Sequence, residues 1–196
     1  MGAQHLRNWA LIELHQGKHE TELPCLRNKI FLGEDAARKS LIPFSELKYV
    51  AEVEDPVSEE ELRDPESATR QLDSPIVVVK RGAATDLTTG SIAEALSVVR
   101  RTHGNTTFEF EEWCVLGDKE HRDEGQQKMF SAAGDSGACV FNRSGRIFGI
   151  SSGGGELGED VPRNESGYFT PIEWLLDDIR AHGYDVELLP RGFDWY

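Results

Sequence analysis

The chain reads as an all-β protein closed by one terminal helix, and three observations in its 196 residues carry that reading. Between residues 76 and 170 lie six short apolar stretches, parted by turn residues at the spacing of an antiparallel barrel. Two of them, Ala138–Phe141 and Arg146–Ile150, flank Asn142-Arg143-Ser144-Gly145, a hairpin loop. The one long helical pattern begins at Pro171, a residue suited to a first helical turn, and stops before Gly183, which suits the position past a helix end.

Taken in order, residues 1–53 carry apolar strands expected at 9–14, 29–32 and 47–53, separated by polar turns. Residues 54–75 are acidic, punctuated by proline and poor in large apolar side chains. They read as a linker with one helical turn near Glu59–Arg63. Residues 76–196 hold the expected strands 76–80, 90–100, 107–116, 138–142, 146–152 and 166–170, then the helix over 171–182. In strand 107–116 the apolar residues are Phe108, Phe110, Trp113 and Val115. The alternation slips at Glu111-Glu112, which predicts a bulge there, with Glu109, Glu111 and Glu112 forming a solvated face.

Composition narrows the function classes. Hydrophobic content of 38% and charged content of 29% are ordinary for a globular domain. The net charge of −14 repels phosphate backbones and anionic lipid, so neither nucleic acid nor a membrane is an expected partner. No apolar run reaches bilayer length. Cys25, Cys114 and Cys139 make an odd, sparse set unlike a disulfide framework, which points to a reducing, cytoplasmic compartment. Cys114 and Cys139 read as small buried hydrophobes, and no histidine is spaced with the cysteines to bind metal; neither metal nor cofactor is expected.

The most informative motif is Gly134-Asp135-Ser136-Gly137. A serine is useful as a nucleophile when neighbouring amides converge on the oxygen of the carbonyl it attacks. Gly134 can turn its amide that way, Gly137 keeps the turn uncrowded, and Asp135 can anchor it through an ion pair or buried hydrogen bonds. The tetrapeptide is also ordinary turn chemistry, and its flanks decide between the two readings.

With those flanks the chain resembles the trypsin-like serine peptidases, above all their disulfide-poor intracellular members. The resemblance is strongest around Ser136. It extends to Ile76-Val77-Val78-Val79-Lys80-Arg81-Gly82 with Leu87-Thr88-Thr89-Gly90-Ser91-Ile92, similar to the strands opening the family's second barrel, and to Asn8-Trp9-Ala10-Leu11-Ile12, similar to the strand bearing the catalytic aspartate. Residues 15–75 lie outside it. The resemblance implies a double β-barrel: a partial first barrel in 1–53, the acidic linker 54–75, and a complete second barrel with the C-terminal helix in 76–196. It implies a serine endopeptidase-like activity, with Ser136 as nucleophile and the amides of Gly134 and Ser136 as oxyanion donors. Ser152, Gly153 and Gly154 become the edge that pairs with a peptide substrate. Phe130 falls where the family places its specificity-pocket floor, where it would make a shallow apolar pocket; as a residue it serves equally well as a core aromatic.

The chain departs from the family in its proton acceptor. Asn8 occupies the aspartate position, and its neutral amide cannot stabilise an imidazolium; the general cost of that exchange in such enzymes is about 10⁴-fold in turnover. No histidine upstream of Asn8 has the family's Ala-His-Cys-like setting, since His5 is only three residues away. His15, His19, His103, His121 and His182 fall in turns or at a helix end. The expectation is therefore a weakly active or inactive peptidase homologue, part of a longer protein, or an enzyme with a rearranged base. The alternative is a non-catalytic module that binds a peptide or protein partner. Uncovered apolar edges of a partial barrel would favour pairing with another chain, without selecting an oligomeric state.

Overall fold

The computed structural model describes residues 5–13, 15, 17–18, 29–31, 50–52, 55–63, 76–117, 129–142, 144–154 and 166–188. Strands β1 (Lys29–Phe31) and β2 (Val50–Glu52) pair antiparallel as a two-stranded sheet. A short helix α1 (Glu59–Arg63) follows. Six strands then build the body of the molecule: β3 (Val77–Gly82), β4 (Asp86–His103), β5 (Thr106–Gly117), β6 (Cys139–Phe141), β7 (Ile147–Gly154) and β8 (Ser166–Pro171). All their pairings are antiparallel. In the order β3-β4-β5-β8-β7-β6 they close into a barrel as β6 pairs back onto β3.

These strands form where β-branched and aromatic residues supply two-faced packing. Val78, Ile92, Trp113, Val115, Val140, Phe148 and Phe169 fill one buried cluster together with Phe130. Helix α2 (Ile172–Ala181) lies outside the barrel, turning Ile172, Leu175 and Ile179 onto Ile147. Its end is a Schellman motif. Gly183 takes φ 90°, its amide donates to the Arg180 carbonyl, and the Tyr184 amide reaches back to Ile179.

Three local expectations change. Residues 55–63 are not a detached linker. Val57 and Leu62 are buried in the main cluster, and Val57 and Asp55 exchange backbone hydrogen bonds with Ile147 at 2.8 and 3.0 Å. Two apolar side chains were enough to draw an otherwise acidic segment onto the barrel; residues 64–75 lie outside the described residues. The bulge sits on β4, not β5: Ile92 faces Val115 and Leu96 faces Trp113, while β5 stays in register from Thr106 to Trp113. Glu112 is fully buried, whereas Glu109 is exposed. The apparent slip at Glu111-Glu112 comes from a strand covered on both faces: Trp113 and Val115 point into the barrel, and Glu112 lies beneath residues 5–6.

Within 1–53, the strand expected at 9–14 is instead an extended arm over residues 5–13 with no strand partner among the described residues. The Arg7 guanidinium grips Asp178 of α2 at 2.7–3.1 Å, and the Trp9 indole N–H donates to the same carboxylate at 2.7 Å. The described residues of 1–53 close no second barrel. No helix among the described residues is long and apolar enough to cross a membrane.

Candidate functional site

The segment leading into β6 contains two consecutive tight turns. The Asp135 amide donates to the Ala132 carbonyl at 3.0 Å, with Gly134 at φ 103°; the Ala138 amide donates to the Asp135 carbonyl at 3.0 Å, with Gly137 at φ 91°. A positive φ at the third residue of each turn is the conformation glycine adopts without strain. Gly137 and Ala138 then tie the turns to β7 through Ser151, with two backbone bonds of 2.8 Å. The amides of Gly134 and Ser136 have no intramolecular acceptor among the described residues.

Asp135 locks this geometry from beneath. Its buried carboxylate accepts from the amides of Ala84, Thr85 and Ala132 at 2.8–3.1 Å and from the Thr85 hydroxyl at 2.7 Å, and it pairs with Lys80 at 3.1 Å. Burial alone would raise the acid, but the Ala132 amide, the Thr85 hydroxyl, the Ala84 amide and Lys80 together hold it well below the usual carboxylate range. Gly82 permits the approach, because a Cβ there would sit 2.1 Å from Asp135 Oδ1. Lys80 is a partner that motif reading missed. Its signal was alternation: in Val77-Val78-Val79-Lys80, residue 80 shares the inward face of Val78, where a lysine needs an acid.

Above the turns opens a cleft of about 180 Å³, with Ser136 and Gly137 on one side, Asn8 on another, and Ile150, Ser152 and Leu175 among its walls. The cleft brings together Asn8 and Ser136, which are far apart in the chain. Ser152 is the residue skipped in the β7–β8 register: Ser151 faces Phe169 and Gly153 faces Tyr168. Such a bulge redirects a residue out of the ladder. The Ser152 hydroxyl is buried without a partner among the described residues, and its carbonyl accepts from Arg101 Nη2 at 2.9 Å. Gly153 pairs with Tyr168, and Gly154 with Gly167; a Cβ on Gly154 would meet the Ser131 carbonyl at 2.3 Å. Phe130 does not line the cleft. It lies fully buried in the core, with Lys80 Nζ 5.4 Å from its ring centre, which is its role as a core aromatic.

Among the described residues, no side chain lining the cleft takes a proton at neutral pH. His5 is buried elsewhere, one ring nitrogen on the Glu111 carbonyl and the other 3.2 Å from Glu59. His15, His103 and His182 are exposed and line no part of it, and His19 and His121 lie outside the described residues. Neither described cysteine offers a thiolate: burial raises both thiols, Cys139 to about 12. The arrangement therefore presents a hydroxyl next to two amides that have no acceptor among the described residues. No model of a known protein family matches the chain, and no curated protein matches it.

Proposed function

We propose that the protein is a serine endopeptidase-like member of the trypsin-like class, with the six-stranded barrel as the second barrel of that plan. In this reading Ser136 holds the nucleophile position, Gly134 and Ser136 supply oxyanion amides, and Asn8 stands where the class has its aspartate. The partner is an extended peptide or protein segment laid along the strand at 152–154, in a reducing, cytoplasmic setting, with no cofactor. The observation that carries it is the pair of glycine turns clamped by buried Asp135, with the amides of residues 134 and 136 unpartnered beside a cleft shared by Ser136 and Asn8. In this reading hydrolysis is weak or nil, because Ser136 has no base among the described residues of the cleft lining.

Incubation of the protein with a fluorophosphonate probe tests this. The expected result is labelling far slower than that of an active serine hydrolase, with any label lost in Ser136→Ala. Rapid, stoichiometric labelling of Ser136 would overturn the impaired-catalysis reading. The second reading, a non-catalytic peptide-binding module, is favoured by the same lack of a titratable group in the cleft. It predicts no labelling at all, together with peptide binding that Ser136→Ala leaves intact.

A further inference from the structure

Seven arginines lie among the described residues, and six of them meet a carboxylate: Arg7, Arg63, Arg81, Arg100, Arg146 and Arg180. Arg101 alone of the seven makes no ion pair with an acid among the described residues, although the buried Glu112 carboxylate feels its charge at longer range. In a chain of net charge −14 such an arginine is unusual, and this one reaches from β4 to the carbonyl of Ser152 in the cleft lining. Its Nη2 donates to the Ser152 carbonyl at 2.9 Å, and its guanidinium lies 5.6 Å from the Phe110 ring centre. Gly153, at φ 145°, makes room for it: a Cβ there would stand 2.8 Å from the same nitrogen. The guanidinium is thus held in a fixed orientation by a backbone acceptor, an aromatic ring and a missing side chain.

We infer that Arg101 is a specificity-determining residue that recognises a carboxylate on the bound peptide, so that the cleft selects segments carrying an aspartate or glutamate side chain. The inference rests on the reading of 152–154 as the peptide-binding strand. A guanidinium has five N–H donors, and the Ser152 carbonyl uses one; the rest match the two oxygens of a carboxylate. The Ser152 carbonyl keeps a second lone pair for a peptide N–H, so the contact with Arg101 does not exclude a strand laid beside it. The unpartnered Ser152 hydroxyl marks the same place as one awaiting a polar group.

The test uses fluorescein-labelled heptapeptides of alanine, valine and threonine in which a single glutamate is walked through each position, paired with their glutamine twins. Anisotropy titration of the full chain is expected to show one register in which the glutamate peptide binds at least tenfold tighter than its twin. Arg101→Gln should bring that ratio to about one with the glutamine peptide unaffected, and Arg101→Lys should retain part of it. Equal binding of both series by the wild-type protein, or a preference that survives Arg101→Gln, overturns the role of Arg101 and leaves the binding strand standing. Binding of neither series overturns both. Thermal melts of the two variants separate lost recognition from lost folding.

Discussion

Two buried charge clusters flank the cleft, and they are built to opposite rules. At Lys80–Asp135 both side chains are fully buried, and the carboxylate oxygens accept from three amides, a hydroxyl and an ammonium. At His5–Glu59–Glu112 the satisfaction is partial: Glu112 accepts from the Leu6 amide and the Thr170 hydroxyl through one oxygen, while the other has no hydrogen-bond partner and lies 4.0 Å from His5. The first cluster joins one part of the barrel to another and is a lock. The second joins the barrel to the arm that carries Asn8 to the cleft, and it titrates. A fully satisfied buried pair rigidifies what it holds, whereas a partly satisfied one makes its contact depend on protonation.

The comparison breaks most sharply at Asp135. Replacing it with alanine leaves the Lys80 ammonium buried without a counter-charge, on the Thr85 hydroxyl alone, and stability should fall by about 3–5 kcal/mol in urea denaturation. Lys80→Met should cost less, because three amides and the Thr85 hydroxyl still hold the Asp135 carboxylate, and the double variant distinctly less than the sum of the two. Additive costs would mean that the two groups do not act as a pair.

The arm should respond to pH where the lock does not. Both partners of the His5 ring are acceptors, so the imidazolium alone satisfies both. Burial works against that charge, but Glu59, Glu112 and the Glu111 carbonyl outweigh it and raise His5 above its ordinary 6.5. A group raised in the folded state contributes stability that is complete below 6.5 and is lost as pH rises through the folded value. Burial likewise raises Glu112, which acts in the same direction. Trp174 packs edge-on to His5 at 5.2 Å, and Trp9 lies on the same arm, so tryptophan fluorescence should change with a midpoint above 6.5. His5→Gln should flatten that transition; a transition that persists unchanged assigns it elsewhere.

The smallest effect belongs to the surface pair Arg146–Glu61, which fastens α1 to the barrel at 2.9 Å. Hydrogen bonds from Arg146 and the Ser58 amide lower Glu61 to about 2. Its contribution is present above pH 4.5 and fades as pH falls toward 2; solvent screening keeps it to about 1 kcal/mol or less. The melting temperatures of wild type and Arg146→Gln should differ slightly at pH 6 and converge near pH 2.

Most of the barrel was legible because its causes are local. The run Val77–Val79, the Asn142–Gly145 loop and Gly183 each specify a strand, a hairpin and a helix end within a few residues. The Gly134–Gly137 tetrapeptide was legible as a glycine turn for the same reason, though not as two consecutive turns with both glycines at positive φ. Misreadings arose where average composition stood in for position: two apolar residues, Val57 and Leu62, override an acidic segment, and one glutamate of three, Glu112, goes inside. Arg101 carries no sequence signal, because its neighbour Arg100 has the same chemistry and finds an acid, Glu109, across the hairpin.

Sequence alone therefore determined the all-β character, the succession of strands along the chain and a glycine-built turn at 134–137, because period, branching and backbone freedom act between neighbours in the chain. Tertiary structure alone decided that Asp135 meets Lys80, that Asn8 shares a cleft with Ser136, and that Arg101 reaches the Ser152 carbonyl. The physical reason is that a charge or an amide takes its role from whatever lies within a few ångströms, and those neighbours come from distant stretches of chain once the barrel has closed.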